Sequence, residues 1–261
     1  MKTLKLYQID AFTKKTFEGN PAAICPLETW LDDALMQRIA EENNLSETAF
    51  FVETKGIFHI RWFTPTTEVD MCGHATLASA HVIYTYLSYK KEEIIFDSKS
   101  GILKVSKEGE RYTMDFPIQK IQECEIPIAC MVAFDVLPVA CYKAMDYILV
   151  FENEEDITNA KPDMQKLKEL DLRGIMITAQ SKKYAFITRF FAPKYGIDED
   201  PVTGSAFTQL LPYWSKVLEK KTFNTKQVSP RGGEVFCELK RDRVLISGYA
   251  VTYLEGTITL Q

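Results

Sequence analysis

The sequence lacks most of the signatures that would assign a chemistry at once. There is no CxxC pair, no HExxH, no Gly-rich phosphate loop and no GxGxxG after a strand, so neither a metal centre nor a nucleotide cofactor is indicated. Basic charge is not in excess: 31 Lys and Arg stand against 36 Asp and Glu, for a net charge of -5. That balance gives no electrostatic footprint for nucleic acid or an anionic membrane, and small molecules are the expected partners. Histidine is scarce, with three in 261 residues. The six cysteines follow no regular spacing, which argues against a disulfide scaffold and for reduced thiols in a reducing compartment. The N-terminal stretch MKTLKLYQIDAF alternates like a strand and has no signal-peptide core. The longest run without Asp, Glu, Lys or Arg covers residues 71–89. Gly73, His74, His81 and several hydroxyl residues dilute it, and a positive flank stands at one end alone (Lys90, Lys91), so it reads as a buried helix of a soluble fold rather than a membrane span.

What is present is a plan written twice. At an offset of 128 residues Met36 and Gln37 fall on Met164 and Gln165, Glu41 on Glu169, Phe58 on Phe186 and Arg61 on Arg189. Phe63 falls on Phe191, Pro65 on Pro193, Asp70 on Asp198 and Ala78 on Ala206. Each copy has an amphipathic helix (ALMQRIAEEN; DMQKLKEL), a strand, turn and strand (GIFHIRWFTP; KYAFITRFFAP), a loop, and an uncharged helix. A hairpin is expected around Lys107, Glu108 and Gly109. In the second uncharged helix Phe207, Leu210, Leu211, Trp214 and Leu218 keep helical spacing, and Pro212 predicts a kink or an early stop. A helix without a polar face must be covered on all sides, which strands on both flanks can do. The expected fold is therefore α+β: two pseudo-symmetric subdomains, each a barrel-like, mostly antiparallel sheet around a central helix. The halves divide at 1–118 and 119–261, with room for the chain ends to cross between them.

The chemistry is expected where the two uncharged helices begin, in CGHATLA and EDPVTGSA. Helix N-termini carry unpaired N–H groups and favour carboxylates, so an anionic substrate held between two such ends, in a cleft of the two halves, is the natural reading. Gly73 and Gly204 permit close backbone approach. Taken singly, several residues have a plain structural explanation: Asp200 before Pro201 as a helix cap, Ser205 as a cap or packing residue, His74 as a structural histidine, Cys72 as a small hydrophobe. Glu47, in NNLSETAFFVE, sits at the entrance of an apolar strand, and its counterpart at the offset is Ile175. A carboxylate partly withdrawn from water there suits general acid/base work, against the alternative of a surface or capping Glu.

The strings IDAFTKKTFEGNPAAI, NNLSETAF, RWFTPTTEVDMCGHATLASA, RFFAPKYGIDEDPVTGSA and QVSPRGG, in this order from residue 9 to about 233, together resemble the phenazine-biosynthesis-like (PhzF) family of the diaminopimelate epimerase fold. The resemblance implies two subdomains with the active site between them, isomerase chemistry with no cofactor and no metal, and a homodimer; the cysteine reading above makes it a cytoplasmic one. It implies Glu47 as proton-transferring base and acid, with His74 and Asp200 contacting and polarising the substrate. Ser205 and Gly204 correspond to the ligand-binding end of their motif, while Asn20, Ser46 and Gly73 shape the site. Epimerase relatives carry two cysteines at the helix starts. Here Cys72 and Asp200 hold those positions, which favours one-base isomerisation through Glu47 over racemisation by that pair. A hydrolase built on Ser205, His74 and Asp200, without a GxSxG elbow, and an inactive ligand-binding protein are the other readings.

Overall fold

The computed structural model describes residues 2–260. The chain divides into two compact units, residues 1–115 with 247–261, and residues 116–246. The chain thus leaves the first unit in its eighth strand and returns to it at the C-terminus.

The first unit comprises β1 (Lys2–Ala11), β2 (Asn20–Leu27), α1 (Asp33–Asn43), β3 (Glu47–Thr54), β4 (Ile57–Phe63), β5 (Glu68–Val69), α2 (Gly73–Tyr86), β6 (Glu93–Ser98), β7 (Gly101–Glu108) and β8 (Arg111–Pro117). β1 pairs antiparallel with β2 and with the C-terminal strand Ala250–Leu260. β2 and β3 run parallel, β3 and β4 antiparallel, β4 and β6 parallel, and β6, β7 and β8 form an antiparallel meander. The expected hairpin closes with Glu108 opposite Arg111.

The second unit follows the same internal order. It holds β9 (Gln122–Glu123), α3 (Ile128–Ala133), β10 (Ala140–Lys143), β11 (Tyr147–Val150), α4 (Glu154–Thr158), α5 (Met164–Leu167), β12 (Ile175–Gln180), β13 (Phe186–Ala192), β14 (Ile197–Asp200), α6 (Phe207–Val217), β15 (Thr222–Gln227), β16 (Gly233–Lys240) and β17 (Arg243–Gly248). β11 and β12 run parallel as β2 and β3 do, and β13 pairs parallel with β15 as β4 does with β6. The expected α+β architecture, mostly antiparallel with a central helix in each unit, is the one found.

The duplication extends to single side chains. Arg61 grips Glu68 with Nε to Oε1 at 2.7 Å and Nη2 to Oε2 at 2.9 Å. Arg189, its counterpart, grips Glu199 through the same atoms at 2.6 and 2.8 Å. Each guanidinium also lies over a phenylalanine ring two residues on, Phe63 at 5.2 Å and Phe191 at 5.1 Å. Two-point Arg–carboxylate pairs of this kind fix a strand's neighbour in one geometry.

α1 exists because Met36, Ile39 and Ala40 recur on one face and are buried, while Asp32 caps the first turn through Ala34 N–H at 3.0 Å. Its counterpart is shorter than expected: of DMQKLKEL only Met164–Leu167 is helical, capped by Asp163. α2 is buried from Gly73 through Ala80 and again at Val82 and Ile83, packed against β1, β2, β3 and the C-terminal strand. No helix among the described residues is long and apolar enough to cross a membrane. α6 buries Phe207, Leu210, Leu211 and Trp214, each contributing roughly 1.5–3 kcal/mol of apolar burial. The Trp214 ring stacks on Phe186 at 5.2 Å, and its indole N–H donates to Thr178 Oγ1 at 3.1 Å.

Pro212 does not stop α6, which runs five residues beyond it to Val217. A proline leaves the carbonyl four residues earlier without its helical donor. That carbonyl, on Thr208, instead accepts the Gln119 N–H at 3.1 Å. The freed acceptor is satisfied from outside the helix, and the helix continues.

His81 explains part of the C-terminal strand's attachment. Its ring nitrogens lie 3.0 Å from Tyr112 Oη and 3.0 Å from Thr252 Oγ1. Burial, with the Lys107 charge adding to it, lowers its pKa from 6.5 to about 4. The folded ring stays neutral where the unfolded chain would bind a proton, so stability falls as pH drops from 6.5 towards 4. We expect this group to withdraw about 3 kcal/mol across that window. Denaturant titrations of wild type and His81→Gln should converge as pH falls, and parallel curves would refute the assignment.

Candidate functional site

In the first unit the sequence-predicted residues converge. Glu47 opens β3, Asn20 opens β2 beside it in the parallel pair, and Cys72 directly precedes α2 with Gly73 and His74 as its first residues. No side chain caps α2, so the N–H groups of its first turn keep their capacity for an anion. Three strand and helix starts thus bring Asn20, Ser46, Glu47, Cys72 and His74 to one place.

The Glu47 and His74 side chains are 14% and 6% exposed, and Oε2 of the first lies 3.1 Å from Nε2 of the second. The pair is close but misaligned: both atoms are buried and neither has a hydrogen-bond partner. Buried polar atoms without partners are rare and costly, and two facing the same spot mark a place for a ligand's polar group. On the other edge of the ring, His74 Nδ1 lies 3.2 Å from Asn20 Nδ2 and 3.5 Å from Cys72 Sγ. Ser46 Oγ donates to Asn20 Oδ1 at 3.3 Å.

Burial works against charging His74, but the neighbouring Cys72 and Glu47 outweigh it and push its pKa well above the usual imidazole value. Burial and the Glu47 charge push the Cys72 thiol up to about 11. Cys72 is therefore a thiol at neutral pH, and Glu47 is the neighbour that brings a full charge to the ring. One donor atom each of Glu47, Cys72 and His74 can be chosen so that all lie within 4.8 Å. Yet Glu47 meets Nε2 while Cys72 meets Nδ1. The lone pairs of the two ring nitrogens diverge, so the set does not suit one metal ion.

In the second unit Asp200 ends β14, and the link 201–203 leads through a 3-10 turn, Gly204–Ala206, into α6. Asp200 is therefore not the cap of α6, whose first residue is Phe207. Its carboxylate accepts from Thr203 Oγ1 at 2.5 Å. The whole loop is held by Gln227, fully buried, which donates to the Asp200 carbonyl at 2.6 Å and accepts from Thr203 N–H at 2.8 Å. Ser229 donates to the Pro201 carbonyl at 2.8 Å. The QVSPRGG string thus buttresses the loop that carries Asp200, a role that its spacing alone did not disclose.

A second network was not legible in the sequence. Asp146, fully buried, accepts from Arg173 Nε at 2.9 Å, Arg173 Nη2 at 2.6 Å and Gln209 Nε2 at 2.7 Å. Arg173 Nη2 also donates to Ser205 Oγ at 3.1 Å. Replacing Arg173 by Met strands a buried carboxylate. We expect a loss of about 2–4 kcal/mol in chemical denaturation, below the full cost of breaking a buried pair because Arg173 reaches solvent. An unchanged midpoint would mean that Gln209 alone sustains Asp146.

Residues 9–256 match the family model described as phenazine biosynthesis-like protein. An uncharacterized isomerase of Pseudomonas aeruginosa is 45% identical over 257 residues, 98% of this chain and 99% of that one. The crystal structure of a PhzF-family phenazine biosynthesis protein from Enterococcus faecalis superposes with a TM-score of 0.97 at 44% identity, covering 99% of this chain and all of the other. A predicted epimerase from Pseudomonas aeruginosa, at 18% identity and a TM-score of 0.77 over 99% of this chain, shares the fold. The chain belongs to the phenazine biosynthesis-like (PhzC-PhzF) family and is an enzyme of the isomerase class.

Proposed function

We propose that the protein is a cofactor-independent isomerase that moves a proton within a small, conjugated, carboxylate-bearing substrate, with Glu47 as the single base and acid. The observation that carries this reading is the buried Glu47 Oε2 and His74 Nε2, 3.1 Å apart and without hydrogen-bond partners, beside the uncapped start of α2. Glu47 removes a proton from an activated carbon and returns it at another, while His74 holds a neighbouring polar group. The substrate carboxylate is assigned to the open N–H groups of α2 at Gly73. The family motif assigns polarising contact to Asp200 and ligand contact to Gly204 and Ser205. A closed, water-poor site protects a delocalised intermediate. A homodimer is the form that the family resemblance supports, and the irregular cysteine spacing supports a cytoplasmic location.

Two rival chemistries fit the local geometry less well. A base at Cys72 would need a thiolate, and its thiol is pushed up to about 11. A nucleophilic Ser205 needs a base at its hydroxyl, where Arg173 donates instead and can accept no proton.

Incubation in heavy water with a panel of small amino, hydroxy and cyclic unsaturated acids tests the reading by mass spectrometry and isomer analysis. A Glu47-dependent mass gain or new isomer is expected. Blank results in both readouts across the panel, with tight binding of a panel member, would favour a ligand-binding protein.

A further inference from the structure

Asn20 is fully buried, with its Oδ1 accepting from Ser46 Oγ at 3.3 Å and its Nδ2 facing His74 Nδ1 at 3.2 Å. An amide nitrogen only donates, so the ring nitrogen that faces it must accept. A neutral imidazole whose Nδ1 accepts carries its hydrogen on Nε2. Nε2 is the buried atom without a partner beside Glu47.

We propose that Asn20 and Ser46 are positioning residues which lock His74 in the Nε2–H tautomer, so that His74 donates a hydrogen bond to a substrate oxygen and is not a second base. The proposal deepens the reading of Glu47 as proton carrier and rests on it. It also narrows the substrate: an oxygen acceptor, carbonyl or carboxylate, must sit at Nε2 while the acidic C–H sits at Glu47. When Glu47 takes the proton, the electrons of the broken C–H bond pass into the conjugated system towards that oxygen. The Nε2–H meets the charge as it develops. Glu47 then returns the same proton to another carbon of the system, and no other reactant is consumed. Nε2 keeps its hydrogen in the imidazolium as well, so the donor survives either charge state. Charging the ring places a hydrogen on Nδ1 against the Asn20 N–H, so the amide opposes the charging that Cys72 and Glu47 favour, and it selects the tautomer once the ring is neutral.

The test is ¹⁵N NMR of protein labelled at histidine, read in the pH range where the His74 ring is neutral. The chain has three histidines. His59→Gln removes the signals of one, and His81, with its pKa lowered to about 4, does not titrate near neutrality, so the remaining nitrogens that shift with pH are assigned to His74. In wild type the His74 proton is expected on Nε2, with Nδ1 bare. Asn20→Ala should abolish the single tautomer and give a mixture or the Nδ1–H form. Ser46→Ala, which removes one hydrogen bond to the Asn20 amide, should move the populations the same way to a smaller extent and covers the case in which Asn20→Ala fails to fold. A wild-type ring protonated on Nδ1, a ring doubly protonated throughout the range of stability, or a tautomer untouched by both substitutions overturns the proposal. The readout needs no turnover. Failure of the Glu47 reading would show in the isotope experiment and leave the tautomer as it is.

Discussion

Replacing Glu47 by Gln should reduce turnover by about 10³-fold while leaving the fold intact, within the range that a positioned acid/base supplies. Gln matches Glu in shape, removes the basic oxygen and keeps a polar end beside His74. Glu47 Oε2 makes no hydrogen bond, but its charge faces His74 Nε2 at 3.1 Å, so the variant gives up that attraction and lets His74 lose its proton. A modest loss of stability, of about 1–2 kcal/mol, is expected. A stable, ligand-binding and inactive Glu47→Gln enzyme is the expected phenotype, read by product formation beside a thermal melt. Full activity in that variant would remove Glu47 from the chemistry.

The largest stability effect is expected one residue before Asn20. Gly19 has φ +70°, and a Cβ there would stand 2.2 Å from the Ala11 carbonyl oxygen and 2.7 Å from Thr13 Cγ2. The first obstacle is backbone and cannot swing aside. Ala11 is moreover the ladder partner of Asn20, so any relief moves the strand ends that hold Asn20 against His74. The left-handed conformation costs a non-glycine residue about 1–2 kcal/mol, and overpacking about 1–3 kcal/mol more. Gly19→Ala should lose about 2–5 kcal/mol, a fall in Tm of roughly 5–15 °C for a chain of this size. Gly109 is the internal control. It has φ +59°, but a Cβ there would meet nothing within 4 Å, so Gly109→Ala should cost about 1–2 kcal/mol, from backbone strain alone. Equal losses at the two positions would show that crowding at Ala11 contributes nothing.

The contrast between Gly19 and Gly109 also shows what a sequence can carry. GNPAA marks a turn into a strand, but the proximity of Ala11 that makes its glycine irreplaceable is a tertiary fact. The duplicated plan was legible because its signals are local and periodic. The apolar run of α2, the buried face of α1, and the paired Arg61 and Arg189 all stand at one offset. Glu47 and His74 were legible through their motifs, and strand and helix starts bring them together. Other features were hidden for physical reasons. Asp146, Arg173 and Gln209 meet across separations of 27 and 63 residues, and nothing in their neighbours announces a buried charge. The run DMQKLKEL shares its pattern with α1 yet keeps only one helical turn, Met164–Leu167. Pro212 allows a kink or an early stop by its local rule, and the stop does not occur because Gln119 supplies the missing donor. Gln227 stood inside a recognised string, but its grip on the Asp200 loop spans 27 residues.

The central claim, that one carboxylate carries a proton from one carbon to another, is tested most directly by following the substrate's own label. Once the acid panel yields a substrate, it is prepared with deuterium at the carbon that loses its proton and converted in ordinary water under single turnover. Transfer by Glu47 in a site shielded from water predicts that part of the deuterium appears at the new carbon, and that conversion disappears in Glu47→Gln. Product labelled only from solvent, with inversion at the original carbon and undiminished conversion by Glu47→Gln, would contradict the account and return the chemistry to a two-base epimerisation.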